Sequence, residues 1–157
     1  MDHEAIARLR EQLPRPLVFS NGVFDLLHAG HVECLEAARA LGRSLVVGIN
    51  SDASARRLGK GPGRPLVDER QRARIVGALA AVSAVLLFDE DRPLALIAAL
   101  RPEVYVKGGD YRLGDLPEAA LLAGWGGRTV IVPHVGGLSS SALLRRIASM
   151  RIAEGAA

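Results

Sequence analysis

Five short apolar runs alternate along this chain with segments of helical periodicity, and this alternation restricts the fold more than any other feature. The runs cover residues 17–19, 45–49, 84–88, 104–107 and 129–132. A continuous apolar run is typical of a strand that is buried on both faces of a parallel sheet. Strands that are separated by helices predict an α/β fold, here a Rossmann-like, doubly wound, five-stranded parallel sheet.

Apolar spacing and capping residues predict the helices between these strands. Asp52 and Asp68 are expected to begin two of them, and Gly42 is expected to stop another at its C′ position. No repeat or shift in composition divides the sequence, so residues 1–157 are expected to form one domain. The predicted helices cover residues 1–15, 29–41, 52–58, 68–81, 92–100, 117–125 and, within a C-terminal segment 136–157, residues 139–150.

Charge and composition exclude several classes of protein. The net charge is +3, but the basic residues are scattered among acidic ones and aromatic residues make up only 4%, which disfavours nucleic-acid binding. No apolar run approaches the roughly 18 residues of a membrane span, and the lone Cys34 cannot form an internal disulfide. A cytoplasmic enzyme is therefore expected. Only Lys60 and Lys107 are lysines among 20 basic residues, so a compact ammonium is expected to matter there.

His28 and His31 follow the first predicted strand, three residues apart at the start of a helix. This spacing places both imidazoles on one face, and the helix amino terminus adds free N–H groups and a positive dipole end. Gly30 leaves room for a flat base or a ribose. The segment predicts a site for a phosphoryl group that gains charge during reaction. Two alternatives stay open: ordinary surface histidines, and a metal site with Asp25 or Glu33, which is disfavoured because zinc needs three clear ligands.

A glycine-rich basic loop follows the second strand and its short helix. Residues 56–64 carry four cations, including Lys60 and Arg64, between glycines, and such a loop could close on phosphates. A solvated surface loop is the alternative reading. Arg72, at the start of the next helix, is expected to bind the outer phosphates. Neither a P-loop nor a dinucleotide fingerprint follows any strand.

Two further segments carry glycines or hydroxyls at the same kind of position. Lys107, Gly108 and Asp110 leave the fourth strand, where Asp110 could bond sugar or base hydroxyls, although a simple turn would serve equally well. Residues 139–141 are three serines that open the last helix and could offer hydroxyls and amides to an anion. All the candidate segments follow a strand's carboxyl end or begin a helix, where ligands bind in such sheets.

These groups suit a transfer that needs no protein base. A phosphate monoester is already ionised at neutral pH, so the enzyme needs only to hold nucleophile and nucleoside triphosphate in line and stabilise the transition state. A binding module without chemistry is the competing class. The pair of histidines and the loop lysine argue against it, because a binding module would not need them.

The segment NGVFDLLHAGH, at positions 21–31, resembles the signature of the HxGH nucleotidyltransferases, the cytidylyltransferase-like family. With VVGINSDASARRL, KGPGRP, FDEDRPLALI and VKGGDY, the chain is similar to the heptose 1-phosphate adenylyltransferases within that family, over about residues 16–147. The resemblance implies a nucleotidylyl transferase type of fold and transfer of AMP from ATP to D-glycero-β-D-manno-heptose 1-phosphate. The products would be ADP-heptose and pyrophosphate, for lipopolysaccharide biosynthesis.

The resemblance also implies Mg²⁺ with ATP, a homodimer, no membrane or nucleic-acid partner, and a separate sugar kinase and phosphatase in the pathway. A CTP-dependent cytidylyltransferase for glycerol 3-phosphate is the alternative, weakened because His134 stands where those enzymes carry arginine. No residue is assigned to a metal. The implied catalytic residues are His28, His31 and Lys60, and the implied substrate-binding residues are Asp25, Lys60 and Arg64. The implied nucleotide-binding residues are Asn21, Gly22, Val23, Phe24, Gly30, Arg72, Lys107, Gly108, Asp110, Ser139, Ser140 and Ser141.

Overall fold

A computed structural model describes residues 3–59, 61–133 and 139–154 and confirms the predicted α/β fold. One parallel sheet contains all five predicted strands in the order β3-β2-β1-β4-β5. Each strand begins within one residue of its expected start. The apolar runs of the three central strands are mostly buried, whereas those of the two edge strands are mainly half-buried. The strands are β1 Leu17–Gly22, β2 Ser44–Asn50, β3 Ala84–Phe88, β4 Val104–Gly108 and β5 Arg128–Val132.

Seven α-helices and one short 3₁₀ helix connect and flank these strands in the described part of the chain. None of the described helices is long and apolar enough to cross a bilayer. The helices are α1 His3–Gln12, α2 Ala29–Arg39, α3 Asp52–Arg57, α4 Glu69–Gly77, α5 Leu94–Leu100, α6 Pro117–Ala123 and α7 Ser140–Glu154, with the 3₁₀ helix at Leu113–Asp115.

Several predicted helix boundaries differ from the structure by a few residues, and those of α3 and α4 have a clear physical reason. Ser51, not Asp52, caps α3, because its hydroxyl accepts a hydrogen bond from the amide of Ser54 at 3.0 Å. Asp68 caps α4 as predicted. That helix ends at Gly77 rather than near residue 81, because the chain turns through residues 78–82 to enter β3.

Two apolar clusters cover the two faces of the sheet. Helices α1, α5 and α6 pack on one face, where Phe19 and Tyr105 are buried in the core. Helices α2 and α4 cover the other face through side chains such as Leu35 and Val76. With helices on both faces, the backbone edge at the carboxyl ends of the strands is left open to ligands.

The strand order reverses at β1. From β1 the chain proceeds outward through β2 to β3, and then crosses back to place β4 on the opposite side of β1. The helices that follow the two groups of strands therefore diverge, and a crevice opens above the carboxyl ends of β1 and β4. This point of reversal determines where the functional site lies.

Gly42 has a different role from the predicted helix stop. Helix α2 already ends at Arg39, with Ala40 as its C-cap. A Cβ atom on Gly42 would lie 2.5 Å from the carbonyl oxygen of Pro16 and 2.6 Å from Cγ2 of Val18. The constraint is therefore the close approach of the chain to the start of β1.

We expect Gly42→Ala to lower the free energy of unfolding by about 1–3 kcal/mol, because the rigid backbone of residue 16 cannot move aside easily. Denaturant unfolding measures this loss. Gly114→Ala is the matched control, since a Cβ there would meet no atom within 4 Å. Equal unfolding midpoints for the two variants would contradict the close-packing explanation.

Candidate active site

The turn between β1 and α2 has an unusual backbone. Phe24 and Leu26 have φ values of 54° and 52°, in the left-handed region that non-glycine residues rarely adopt. Surrounding contacts must hold such a backbone in place, and residues of this kind cluster at functional sites. The turn delivers His28 to the N-cap position of α2.

The structure brings the two predicted histidines together. The rings of His28 and His31 are stacked, with centroids 3.8 Å apart and planes 24° from parallel. The ring of Phe24 is tilted by 58° to that of His31, with the two centroids 5.3 Å apart. The amide of His31 donates to the carbonyl of His28 at 2.9 Å, which begins the helix. The imidazoles therefore present ring N–H donors beside a helix amino terminus, an arrangement suited to a phosphoryl group.

A cavity of about 180 Å³ opens beside His31, above the carboxyl ends of β1 and β4. We call it the nucleotide cavity. No aspartate or glutamate is among the described residues that line it. Its lining residues are Ser20, Asn21, Gly22, Val23, Phe24, Gly30, His31, Cys34, Lys107, Gly108 and Tyr111. The structure thus gathers eight of the predicted site residues around one cavity at the switch point of the sheet.

Three residues of this lining were not predicted: Ser20, Cys34 and Tyr111. Cys34 lies one helical turn after His31, so the same periodicity that paired the histidines could have identified it. Burial raises the pKa of the Cys34 thiol, with the nearby Lys107 opposing the shift. The thiol sulfur would lie 2.9 Å from a Cβ on Gly108, which shows how closely β4 approaches α2 here.

Lys107 is held at the floor of the cavity by two neighbours. Its ammonium lies 3.3 Å from Oδ1 of Asn21 and 5.5 Å from the ring centre of Tyr111. The same amide oxygen accepts a hydrogen bond of 2.7 Å from the hydroxyl of Tyr105. Burial raises the pKa of that phenol, with the Glu118 carboxylate adding to the effect, so Tyr105 remains a donor. The asparagine is thereby fixed, and it positions the lysine's charge.

Asp25 and Arg64 are bonded to each other rather than open to a substrate. Their carboxylate and guanidinium are 2.8 Å apart and nearly buried. Asp25 also accepts hydrogen bonds from the amides of Leu66 and Val67, at 3.0 and 3.1 Å. In this structure the pair ties the end of the basic loop to the turn at Phe24, and substrate binding by the two residues stays a prediction.

Arg72, which is predicted to bind the outer phosphates, lies in the interior of the protein in this structure. Its side chain is only 1% exposed, and its guanidinium donates to the carbonyls of Val23, Asn50 and Val67. It also forms a 2.6 Å ion pair with Asp52. In this structure these donors face protein acceptors, and phosphate binding by Arg72 stays a prediction. Arg72 supports the backbone of Val23, which leads into the turn between β1 and α2. We call this turn, which precedes His28 and His31, the histidine turn.

The remaining predicted residues have mixed positions. Ser139 caps the last helix, with its Oγ 3.0 Å from the amide of Ala142, and the Ser140 hydroxyl donates to the carbonyls of Asp25 and Leu26. The described contacts of these two serines thus fix α7 against the histidine turn. Ser141 and Asp110 are exposed and do not line the nucleotide cavity. Lys60 lies outside the described residues, as does His134.

Comparison with known proteins gives concordant matches. A family model described as cytidylyltransferase-like matches residues 19–141. The D-beta-D-heptose 1-phosphate adenylyltransferase of Bordetella bronchiseptica is 54% identical over 136 residues, which cover 87% of this chain and 84% of that protein. The bifunctional protein HldE of Streptomyces coelicolor is 58% identical over 132 residues, 84% of this chain, but the chain spans only 28% of its length.

Solved structures extend the similarity. A lipopolysaccharide core biosynthesis protein from Thermoplasma volcanium matches with a TM-score of 0.63 and 29% identity, over 75% of this chain and 94% of that one. Pantothenate synthetase from Thermus thermophilus shares the fold, with a TM-score of 0.57 at 19% identity, over 88% of this chain and 65% of that one.

Proposed function

This chain belongs to the cytidylyltransferase-like family, and from that premise we propose that it is a heptose 1-phosphate adenylyltransferase. It transfers AMP from ATP to D-glycero-β-D-manno-heptose 1-phosphate and releases ADP-heptose and pyrophosphate. The observation that carries the proposal is the nucleotide cavity, whose lining includes His31, three glycines and Lys107 but no carboxylate among the described residues, with the ring of His28 stacked on that of His31. The choice of adenylyl transfer and of a heptose follows the similarity to the Bordetella relative.

The proposed step is a direct in-line displacement at the α-phosphorus of ATP. An ionised oxygen of the sugar phosphate forms the new P–O bond as the bond to pyrophosphate breaks, so no protein base is required. His28 and His31 would donate hydrogen bonds to the α-phosphate oxygens as their charge grows. Lys107 would hold a phosphate at the cavity floor, and Lys60 is expected to bridge the phosphates of both substrates. Gly22, Gly30 and Gly108 would leave space for the nucleoside.

Mg²⁺ is proposed to enter with ATP, bound by the triphosphate itself. Magnesium sites in proteins combine one or two carboxylates with substrate phosphates. The described residues of the nucleotide cavity provide no carboxylate, and that of Asp25 already accepts two amide donors and pairs with Arg64. We therefore assign no protein ligand to the metal.

The proposal includes the setting of the reaction. ATP consumption favours the cytoplasm as its compartment. A sugar kinase would supply a phosphorylated heptose and a phosphatase would act in the same sequence of reactions. A homodimer is also proposed, on the resemblance to related transferases. Size-exclusion chromatography with light scattering measures the last of these directly.

Pyrophosphate release across a matrix of substrates tests the function. ATP, CTP, GTP and UTP are each combined with heptose 1-phosphate, mannose 1-phosphate and glycerol 3-phosphate. We expect ATP with heptose 1-phosphate to give the highest kcat/KM, by about 10-fold or more over any other pair. A substrate that leaves buried polar groups of the site without their hydrogen-bond partners loses at least that factor. Preference for CTP with glycerol 3-phosphate would support the cytidylyltransferase instead.

A further inference from the structure

A second cavity, of about 290 Å³, adjoins the nucleotide cavity on the side of β4 that faces α5 and α6. It shares Asn21, Lys107 and Tyr111 with the nucleotide cavity, so the two adjoin at these side chains near the switch point of the sheet. Its other lining residues are Asp91, Arg92, Pro93, Asp115, Leu116 and Glu118. We call it the acidic cavity.

Glu118 is the unexplained residue of this cavity. Its side chain is at the start of α6 and only 4% exposed, and the atom Oε2 is buried without a hydrogen-bond partner among the described residues. A carboxylate in such a position costs stability unless a partner satisfies it. The proposed in-line displacement does not use this carboxylate. A buried acceptor that lines a cavity next to the reacting groups therefore points to a ligand that donates hydrogen bonds.

The two cavities differ in charge, so they suit different parts of the substrates. The nucleotide cavity has Lys107 and His31 and no described carboxylate, so it attracts phosphates. The acidic cavity has the carboxylates of Asp115 and Glu118, and that of Asp91, which is already paired with Arg57 at 2.7 Å, against Arg92 and the shared lysine. Carboxylates repel phosphates but accept hydrogen bonds from hydroxyl groups. The acidic cavity therefore suits an uncharged group with many hydroxyls.

We propose that the acidic cavity binds the sugar part of the acceptor, and that Glu118 accepts hydrogen bonds from its hydroxyls. The proposal rests on the adenylyltransferase function above. Lys107 stands where the cavities meet, so the acceptor's phosphate would point toward the nucleotide cavity while its carbon chain extends past Tyr111. The adenosine is better placed in the nucleotide cavity, where Gly22 and Gly30 bare the backbone beside the Phe24 ring.

Steady-state kinetics of Glu118→Gln test this assignment. The variant keeps the shape of the side chain but removes its charge and one acceptor. We expect KM for heptose 1-phosphate to rise by roughly 10- to 100-fold, the loss typical of hydrogen bonds to a charged group. KM for ATP should stay within about twofold, because uniform binding of the acceptor alone is lost. Glu36→Gln, on the exposed face of α2, is the matched control.

The outcomes separate the two proposals. An inactive wild-type enzyme with every acceptor would overturn the proposed function and this inference together. An active wild type with an unchanged acceptor KM in Glu118→Gln would overturn the inference alone, and so would a rise confined to the KM for ATP, which would place adenosine in the acidic cavity. If Glu118→Gln does not fold, Asp115→Asn replaces it, because Asp115 is an exposed residue of the same cavity. We then expect the KM for the acceptor to rise severalfold, and an unchanged KM would contradict the assignment.

Discussion

His28→Ala is expected to lower kcat for pyrophosphate release by about 100-fold or more while the chain stays folded, because it removes a donor aimed at charge that develops in the transition state. The His28 ring is stacked on that of His31, so its removal also leaves the His31 imidazole less constrained, which adds to the loss of turnover. KM for both substrates should change far less than kcat, since the contact is stronger in the transition state than in the ground state. Turnover is measured with ATP and heptose 1-phosphate at saturation.

His28→Gln is the matched variant for this experiment, because its amide retains an N–H donor at similar reach. We expect it to recover part of the lost turnover. The double variant His28→Ala/His31→Ala should lose less than the product of the two single losses if the stacked pair acts as a unit. Turnover near the wild-type value in His28→Ala would refute the proposed role, whatever the effect of His31.

Arg72→Met is expected to lower the free energy of unfolding by about 3–5 kcal/mol, the usual cost of removing one member of a buried charge pair. The variant leaves the carboxylate of Asp52 without its cation and the carbonyls of Val23 and Asn50 without their donor. Urea unfolding followed by circular dichroism measures the loss. Activity should fall as well, because the backbone of Val23 leads into the histidine turn.

Arg74→Met provides the control, since Arg74 is exposed on the same helix and should change stability by no more than about 0.5 kcal/mol. Activity near the wild-type level is expected for it. The original phosphate-binding hypothesis for Arg72 makes the opposite prediction: normal stability, with a raised KM for ATP. Measuring both quantities on both variants decides between a supporting residue and a ligand.

Sequence periodicity was sufficient to predict the strands of the sheet and much of the lining of the nucleotide cavity. Apolar runs such as that of β2 are buried throughout their length, so composition and structure coincide there. The histidine pair was predictable because three-residue spacing at a helix start determines geometry locally. Residues that depend only on their own element were thus placed correctly.

Charged residues with distant partners were the ones that sequence could not place. Arg72 reaches the carbonyl of Val23, 49 positions away, and Asp25 reaches the amides of residues 66 and 67. An arginine near a phosphate and an arginine bonded to backbone carbonyls look alike in sequence, because only the fold supplies the partner. Glu118 was missed for the same reason, since its burial follows from the packing of α6 beside β4.

The tie between Asp25 and residues 64–67 restricts where this protein can change in length. Insertions after Arg64 would displace the amides of Leu66 and Val67 that donate to Asp25, and the histidines would move with the turn. Gly59, Gly61 and Gly63 instead precede the tie, all three with positive φ and with open space where a Cβ would stand. Changes of length beside these glycines are therefore expected to leave the backbone of the histidine turn in place, whereas they would displace Lys60 from the phosphates that we propose it binds.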